Sequence, residues 1–243
     1  MISVVSPVYN SSKCIEPLLK TIIKNLKKIT NKYEIILIDD ASIDDSWNKI
    51  NYFKKNYKAL KGIRLLYNHG QHYAIYAGIK NSKYNTVIVM DCDLQDNPKN
   101  FEKLHKIFTI KNKPTIAVNS YKKFPIREKI TSFIFWNFLR AISLRKFSYQ
   151  IGNFMIFGSN EKREYLKIKN VGFLYGDLLS CNINFEYLNI NREKSIRKYS
   201  TYNFKKLFLF GSKLILNYNI ITYLLRKLFF TNKKIYIKID KII

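Results

Sequence analysis

Through the first half of the chain, short apolar runs rich in β-branched residues alternate with segments whose apolar residues recur at helical spacing. Parallel strands need a crossover, and a helix is the usual one, so this alternation predicts a parallel α/β sheet flanked by helices. Strands are expected at Ile2 to Ser6, Glu34 to Ile38, Ile63 to Leu66 and Thr86 to Met90. Between the first two, Ile15, Leu18, Leu19, Ile22, Ile23 and Leu26 form one helical face. Ser11 or Ser12 stands where that helix would be capped. Further helices are expected through Trp47, Ile50 and Phe53, and through Ala74, Ala77 and Gly78 after a turn at Asn68 to Gln71.

Beyond Pro98 the pattern loosens into a helix near Phe101 to Phe108, a strand near Thr115 to Asn119 and an aromatic-rich helix from about Glu128 to Leu144. Residues 1–191 read as one catalytic domain, and 192–243 as a basic segment followed by amphipathic juxtamembrane helices. Leu207 to Phe230 is the most apolar stretch, but Lys213 and Arg226 interrupt it, so no clean membrane-spanning helix is expected. The start Met1-Ile2-Ser3-Val4-Val5 is too short and not basic enough for a secretory leader. Cys14, Cys92 and Cys181 are odd in number and widely spaced, which argues against a disulfide framework or a zinc site and for a reducing cytoplasm.

Two expected strands end in carboxylates: Asp39-Asp40 after the second, and Asp91-Cys92-Asp93 after the fourth. In open α/β sheets the ligand crevice lies at such carboxyl ends. Side chains at i and i+2 of an extended segment share a face, so Asp91 and Asp93 can address one hard cation, Mg²⁺ or Mn²⁺, together with substrate phosphates. Such an ion would stabilise a departing diphosphate. An isolated Asp-x-Asp is also what a solvated turn produces by chance, and its weight here comes from the apolar strand before it and Leu94-Gln95-Asp96-Asn97-Pro98 after it.

With these residues the chain resembles a family 2 glycosyltransferase of the GT-A, Rossmann-like fold. It is most similar to the branch of dolichyl-phosphate mannose synthase and bacterial polyprenyl-phosphate glycosyltransferases. Ser6-Pro7-Val8-Tyr9-Asn10, Ile38-Asp39-Asp40-Ala41-Ser42, Asn68-x-Gly70 with Ala74 and Gly78, and Met90-Asp91-Cys92-Asp93-Leu94-Gln95-Asp96 carry the resemblance across residues 1–98. It implies a metal-dependent hexosyltransferase using a UDP- or GDP-linked sugar. Pro7, Tyr9 and Asp40 would hold base and ribose, with Asn10, Asp39, Asn68, Gly70 and Cys92 around the nucleotide sugar, and Asp91, Asp93 and Gln95 around the metal. The chain departs from the family at Ser11, where Glu is usual, and at Ala41, where Gly is usual. The second departure matters only if the turn requires positive φ. His69 and His72 read as turn and helix-start residues rather than a metal pair, and His105 as structural.

In the resembling branch a basic segment precedes membrane-associated helices, and Tyr199 to Leu207 is similar to it, with Lys198 where Gly is usual. Arg192, Arg197 and Lys198 are then candidates to reach the donor diphosphate or an acceptor phosphate. Leu207 to Leu228 can lie in the headgroup plane of an anionic membrane, which implies peripheral attachment at the cytoplasmic face, in cell-envelope biogenesis. If the acceptor is a polyprenyl phosphate, the nucleophile is already anionic and displaces the diphosphate in line with inversion. If it is a glycan hydroxyl, a carboxylate base is required, and Asp177 or Asp96 is the candidate. The formal charge of +26 favours anionic partners and also fits a nucleic-acid-binding module. That module needs no ordered carboxylate motifs, so nucleic acid is not an expected partner.

Overall fold

The computed structural model describes residues 1–119, 151–191, 193 and 237–243. The expected helix over 128–144, the amphipathic stretch 207–230 and the cations Arg192, Arg197 and Lys198 lie outside the described residues.

The alternation of the first half is realised as β1 (Ile2–Val8), α1 (Ser12–Leu26), β2 (Tyr33–Asp39), α2 (Ser46–Asn56), β3 (Leu60–Leu65), α3 (Gln71–Lys80) and β4 (Thr86–Val89). There follow α4 (Phe101–Lys111) and β5 (Thr115–Asn119), then β6 (Ile151–Phe157), α5 (Ser159–Leu166), α6 (Leu174–Ser180), β7 (Glu186–Ile190) and β8 (Ile239–Ile242). One sheet holds all the described strands in the order β7-β5-β6-β4-β1-β2-β3-β8. β1 to β4 are mutually parallel, β6 runs against both β4 and β5, and β7 runs with β5. The sheet is therefore mostly parallel and mixed.

The central strands are apolar without interruption because both faces are covered. Val5, Ile36, Ile38, Val87 and Val89 pack on the α3 side, while Val4, Val8, Ile35, Leu37 and Ile88 pack on the α1 and α2 side. On α1 the stripe Ile15, Leu18, Leu19, Ile22 and Leu26 is wholly buried. Gly78 brings α3 close to the sheet: a Cβ there would stand 2.5 Å from Val5 Cγ1 and 2.6 Å from Ile38 Cδ1.

Several strand boundaries differ from the sequence reading. β1 runs on through Pro7 and Val8, so the first loop is shorter than expected; β3 starts at Leu60, and β4 stops at Val89. The region after 191 is not all basic segment and helix. Residues 239–242 form an edge strand antiparallel to β3, with Ile63 opposite Ile242 and Leu66 N–H donating to Lys238 O. A period-2 alternation in Ile235-Tyr236-Ile237-Lys238-Ile239 was the available signal.

Orientation follows from these pairings. β5 and β7 point the same way as β4, so the carboxyl ends of β1, β2, β3, β4, β5 and β7 share one rim of the sheet. β8, running backwards, begins at that rim.

Candidate active site

The loops leaving β1 and β2 are stitched together by side chains. Asn10 N–H donates to Ser42 Oγ at 3.0 Å, and Ile43 N–H donates to Asn10 Oδ1 at 3.0 Å. The start of α1 is capped from the same neighbour, since Ser11 N–H donates to Ser46 Oγ and Ser12 N–H to Asp44 Oδ2. Ser11 occupies the cap position without capping; its hydroxyl turns back to Tyr9 O. Burial pushes the Asp44 carboxyl up, but hydrogen bonds from Ser46 and Ser12 outweigh it and hold the group below its usual range. Asn10 (φ 47°), Ala41 (φ 54°) and Leu94 (φ 61°) adopt left-handed backbone, one after each of β1, β2 and β4. Such conformations cost free energy in non-glycine residues and concentrate at functional sites. Ala41 therefore stands at a turn that does require positive φ.

Pro7 is buried at the end of β1, Tyr9 is half-buried and Asn10 exposed on the rim. Asp39 is the last residue of β2 and Asp40 the first beyond it. Asp40 is buried and binds the turn before α3: its Oδ1 accepts from His69 N–H at 2.8 Å and its Oδ2 from Gly70 N–H at 2.9 Å. Its backbone carbonyl accepts from Asn68 Nδ2 at 3.2 Å. Burial pushes the Asp40 carboxyl up, and the two backbone donors oppose the shift. Gly70 sits at φ 90°, a conformation glycine adopts without penalty. Asp39 is fully buried, and among the described residues its oxygens meet no donor in full hydrogen-bond geometry. Burial raises its pKa; Ser42 and the Arg64 guanidinium, with Nε at 3.6 Å, soften that rise without cancelling it.

Asp91 and Asp93 both stand half-buried just beyond β4, with buried Cys92 between them. Asp91 Oδ1 accepts from Gln71 Nε2 at 2.6 Å and from Asn153 Nδ2 at 3.2 Å. Asp93 Oδ1 accepts from Gln95 N–H at 3.1 Å, which closes the turn through Leu94. Among the described residues no three His, Cys, Asp or Glu side chains gather as a metal cage. Two accessible carboxylates at one strand end suit a hard ion that takes its remaining oxygens from phosphate and water, so the donor set fits Mg²⁺ or Mn²⁺ and not a closed structural site. Gln95 contributes its backbone N–H here.

Gln71 and Asn153 escaped the sequence reading. Gln71 opens α3, while Asn153 lies on β6, where extending the pairing of Val89 with Met155 sets it across from Asp91. The apolar run Ile151 to Phe157, broken by one Asn, was the only hint. The two candidate bases are both buried. Asp96 is 1% exposed, and Asp177 is 3% exposed with its Oδ2 accepting from Gly172 N–H at 2.8 Å. His72 packs its ring against Phe173, three residues from His69 in the α3 turn. β7 delivers the chain to the same rim: Glu193 N–H donates to Gln95 O at 3.1 Å, and Asn97 Nδ2 donates to Glu193 Oε1 at 2.6 Å.

The sequence pattern of glycosyl transferase family 2 matches residues 3–162, which takes in β1 to β6, the Asp91–Asp93 turn and Asn153. The chain belongs to that family. A Bacillus subtilis protein named as a glycosyltransferase, CsbB, is 27% identical over 224 residues, covering 90% of this chain and 67% of its own. An undecaprenyl-phosphate 4-deoxy-4-formamido-L-arabinose transferase of Aeromonas hydrophila is 38% identical over 105 residues, 43% of this chain and 32% of that one. This family 2 chain thus matches only about a third of the length of such arabinose transferases. The same fold occurs in glucosyl-3-phosphoglycerate synthase of Mycobacterium tuberculosis, solved with Mn²⁺, UDP and glucosyl-3-phosphoglycerate (TM-score 0.64, 16% identity, 93% of this chain and 79% of that one). It occurs too in a Pyrobaculum calidifontis mannosyltransferase solved with GDP-mannose and Mn²⁺ (TM-score 0.57, 18% identity, 82% of this chain and 58% of that one). Among the described residues no helix is long and apolar enough to cross a membrane.

Proposed function

We propose that this family 2 glycosyltransferase moves a sugar from a UDP- or GDP-linked donor to a polyprenyl phosphate, with inversion, at the cytoplasmic face of a membrane to which it attaches peripherally. The observation that carries the donor half is the Asp91 carboxylate, fixed by two amides beside Asp93 on the rim where six strands end. Pro7, Tyr9, Asn10, Asp39, Asp40, Asn68 and Gly70, from the ends of β1 and β2 and the α3 turn, are assigned to base, ribose and sugar. Asp91 and Asp93 are assigned to the metal. Bound there, Mg²⁺ or Mn²⁺ supplies Lewis-acid stabilisation of the departing diphosphate. Glu193, tied to the loop beyond Asp93, is flanked in sequence by Arg192 and Lys194, and Arg192, Arg197 and Lys198 are assigned as the cations that meet phosphate.

The acceptor half rests on relatives named as undecaprenyl-phosphate transferases and on the burial of both candidate bases. A general base must come within about 3 Å of the proton it takes. Asp177 spends an oxygen on Gly172 N–H inside the fold, and Asp96 is covered. A phosphate oxygen needs no base, so the anionic acceptor suits these residues better than a glycan hydroxyl.

Purified protein incubated with Mn²⁺ and labelled UDP- or GDP-sugars, with undecaprenyl phosphate or sugar acceptors, tests both halves. Label is expected in an organic-extractable lipid product, and label entering only a water-soluble one overturns the acceptor. Asp93→Ala should lower turnover and Mn²⁺-dependent nucleotide binding by at least about 100-fold, since it removes one of two protein ligands. Unchanged turnover would refute the role of Asp93.

A further inference from the structure

Asp91 is approached from two elements by neutral amides, and both reach the same oxygen. Gln71 Nε2 lies 2.6 Å and Asn153 Nδ2 3.2 Å from Asp91 Oδ1. A carboxylate oxygen has two lone pairs in its plane, so two N–H donors occupy its accepting capacity. From this geometry we infer that Gln71 and Asn153 are positioning residues that orient Asp91 as a ligand for a divalent cation. This rests on the donor-site reading above and deepens it.

The arrangement is built, not incidental. Gln71 is the first residue of α3, and the two residues before it are gripped through their N–H groups by the buried Asp40 carboxylate. Asp40 thereby fixes where the Gln71 side chain starts, and β2 is coupled through the turn to a ligand on β4. Asn153 is 5% exposed and fixed across the sheet from Asp91 by the β4–β6 pairing. A carboxylate can only accept, so the Asn153 amide must present nitrogen to it, and its Oδ1 is left buried without a hydrogen-bond partner among the described residues. Neutral donors suit this task. They hold the carboxylate without cancelling the negative charge that attracts the cation, which an Arg or Lys in their place would do. Partners of this kind around metal ligands typically change metal affinity or activity by roughly 10–100-fold when removed.

The test is Mn²⁺ binding in the presence of UDP or GDP, followed by electron paramagnetic resonance of free Mn²⁺, alongside metal-free melting temperatures. Wild type, Gln71→Leu, Asn153→Leu and Asp93→Ala are compared. Gln71→Leu keeps bulk and removes the donor. It is expected to melt without metal within a few degrees of wild type and to bind Mn²⁺ roughly 10–100-fold more weakly. Asn153→Leu, which removes the longer bond, should show a smaller loss in the same direction and serves if Gln71→Leu does not fold. A folded Gln71→Leu or Asn153→Leu protein with wild-type Mn²⁺ affinity, while Asp93→Ala has lost it, overturns the positioning role alone. Wild type without nucleotide-linked Mn²⁺ binding overturns the donor-site reading and this inference with it.

Discussion

The two ends of the central sheet treat polar groups in opposite ways. At the amino end, Ser3 Oγ donates to Glu34 Oε1 at 2.6 Å and accepts from Tyr84 N–H at 3.1 Å, while Lys162 Nζ caps the carbonyls of Ser82 and Tyr84. Every one of those groups has a partner from its own end of the fold, and the charged ones reach solvent, although burial lowers the Lys162 pKa. At the carboxyl end, Asp39 and Asp40 are buried with raised pKa values, three non-glycine residues hold left-handed backbone, and Asp91 is restrained by amides. One end is arranged for stability. The other keeps carboxylates in a costly environment, as functional sites commonly do.

The largest effect should come from disturbing the helix that supports the crevice. Gly78→Val places branched carbon against Val5 and Ile38 where a Cβ alone meets both within 2.6 Å, and destabilisation of about 3 kcal/mol or more is expected in urea melts. Asp40→Ala removes the acceptor of two backbone N–H groups in the α3 turn. A loss of about 1–3 kcal/mol is expected, together with weaker nucleotide binding by calorimetry. At the opposite end, Ser3→Ala should cost about 1 kcal/mol and leave nucleotide binding unchanged; a binding defect there would erase the contrast between the ends.

Smaller effects sharpen the picture. Ala41→Gly relieves a left-handed residue and should stabilise the fold by up to about 1 kcal/mol after the added flexibility of the unfolded chain is counted, read as a higher melting temperature. For Asp39 the folded carboxyl takes up its proton at higher pH than the unfolded one, which titrates near about 3.9. Its stabilising contribution is complete below that unfolded value and is lost as pH rises through the raised folded value. Asp39→Asn should therefore melt above wild type at neutral pH, with the difference shrinking as pH falls towards about 4. Asp44, whose pKa is lowered, works in the opposite sense: its contribution is present above the unfolded value and fades as pH falls through the folded one.

Fold and site were legible to different depths. The elements up to α4 could be read because strands buried on both faces are continuously apolar and α1 carries an unbroken stripe. Asp39, Asp40, Asp91 and Asp93 were legible because they directly follow such strands. What escaped depends on contacts remote in sequence. The cap of α1 comes from Asp44 and Ser46, more than a helix away, so a local capping rule pointed to Ser11 or Ser12 instead. Asn153 meets Asp91 only because β6 runs against β4, and nothing in the residues around either announces that pairing. The role of Ala41 turned on a backbone angle that its identity conceals.

The β3–β8 pairing also imposes an order in time. β1, β2, β3 and β4 can associate from one contiguous stretch of chain, whereas Ile63 finds Ile242 only after a very long loop has closed. Until then the β3 edge presents unpaired backbone, the kind of surface that recruits other chains. Protection of the β3–β8 pairing should therefore arise after that of β1 to β4 in pulsed hydrogen exchange during refolding, and in that interval the unpaired edge is open to association.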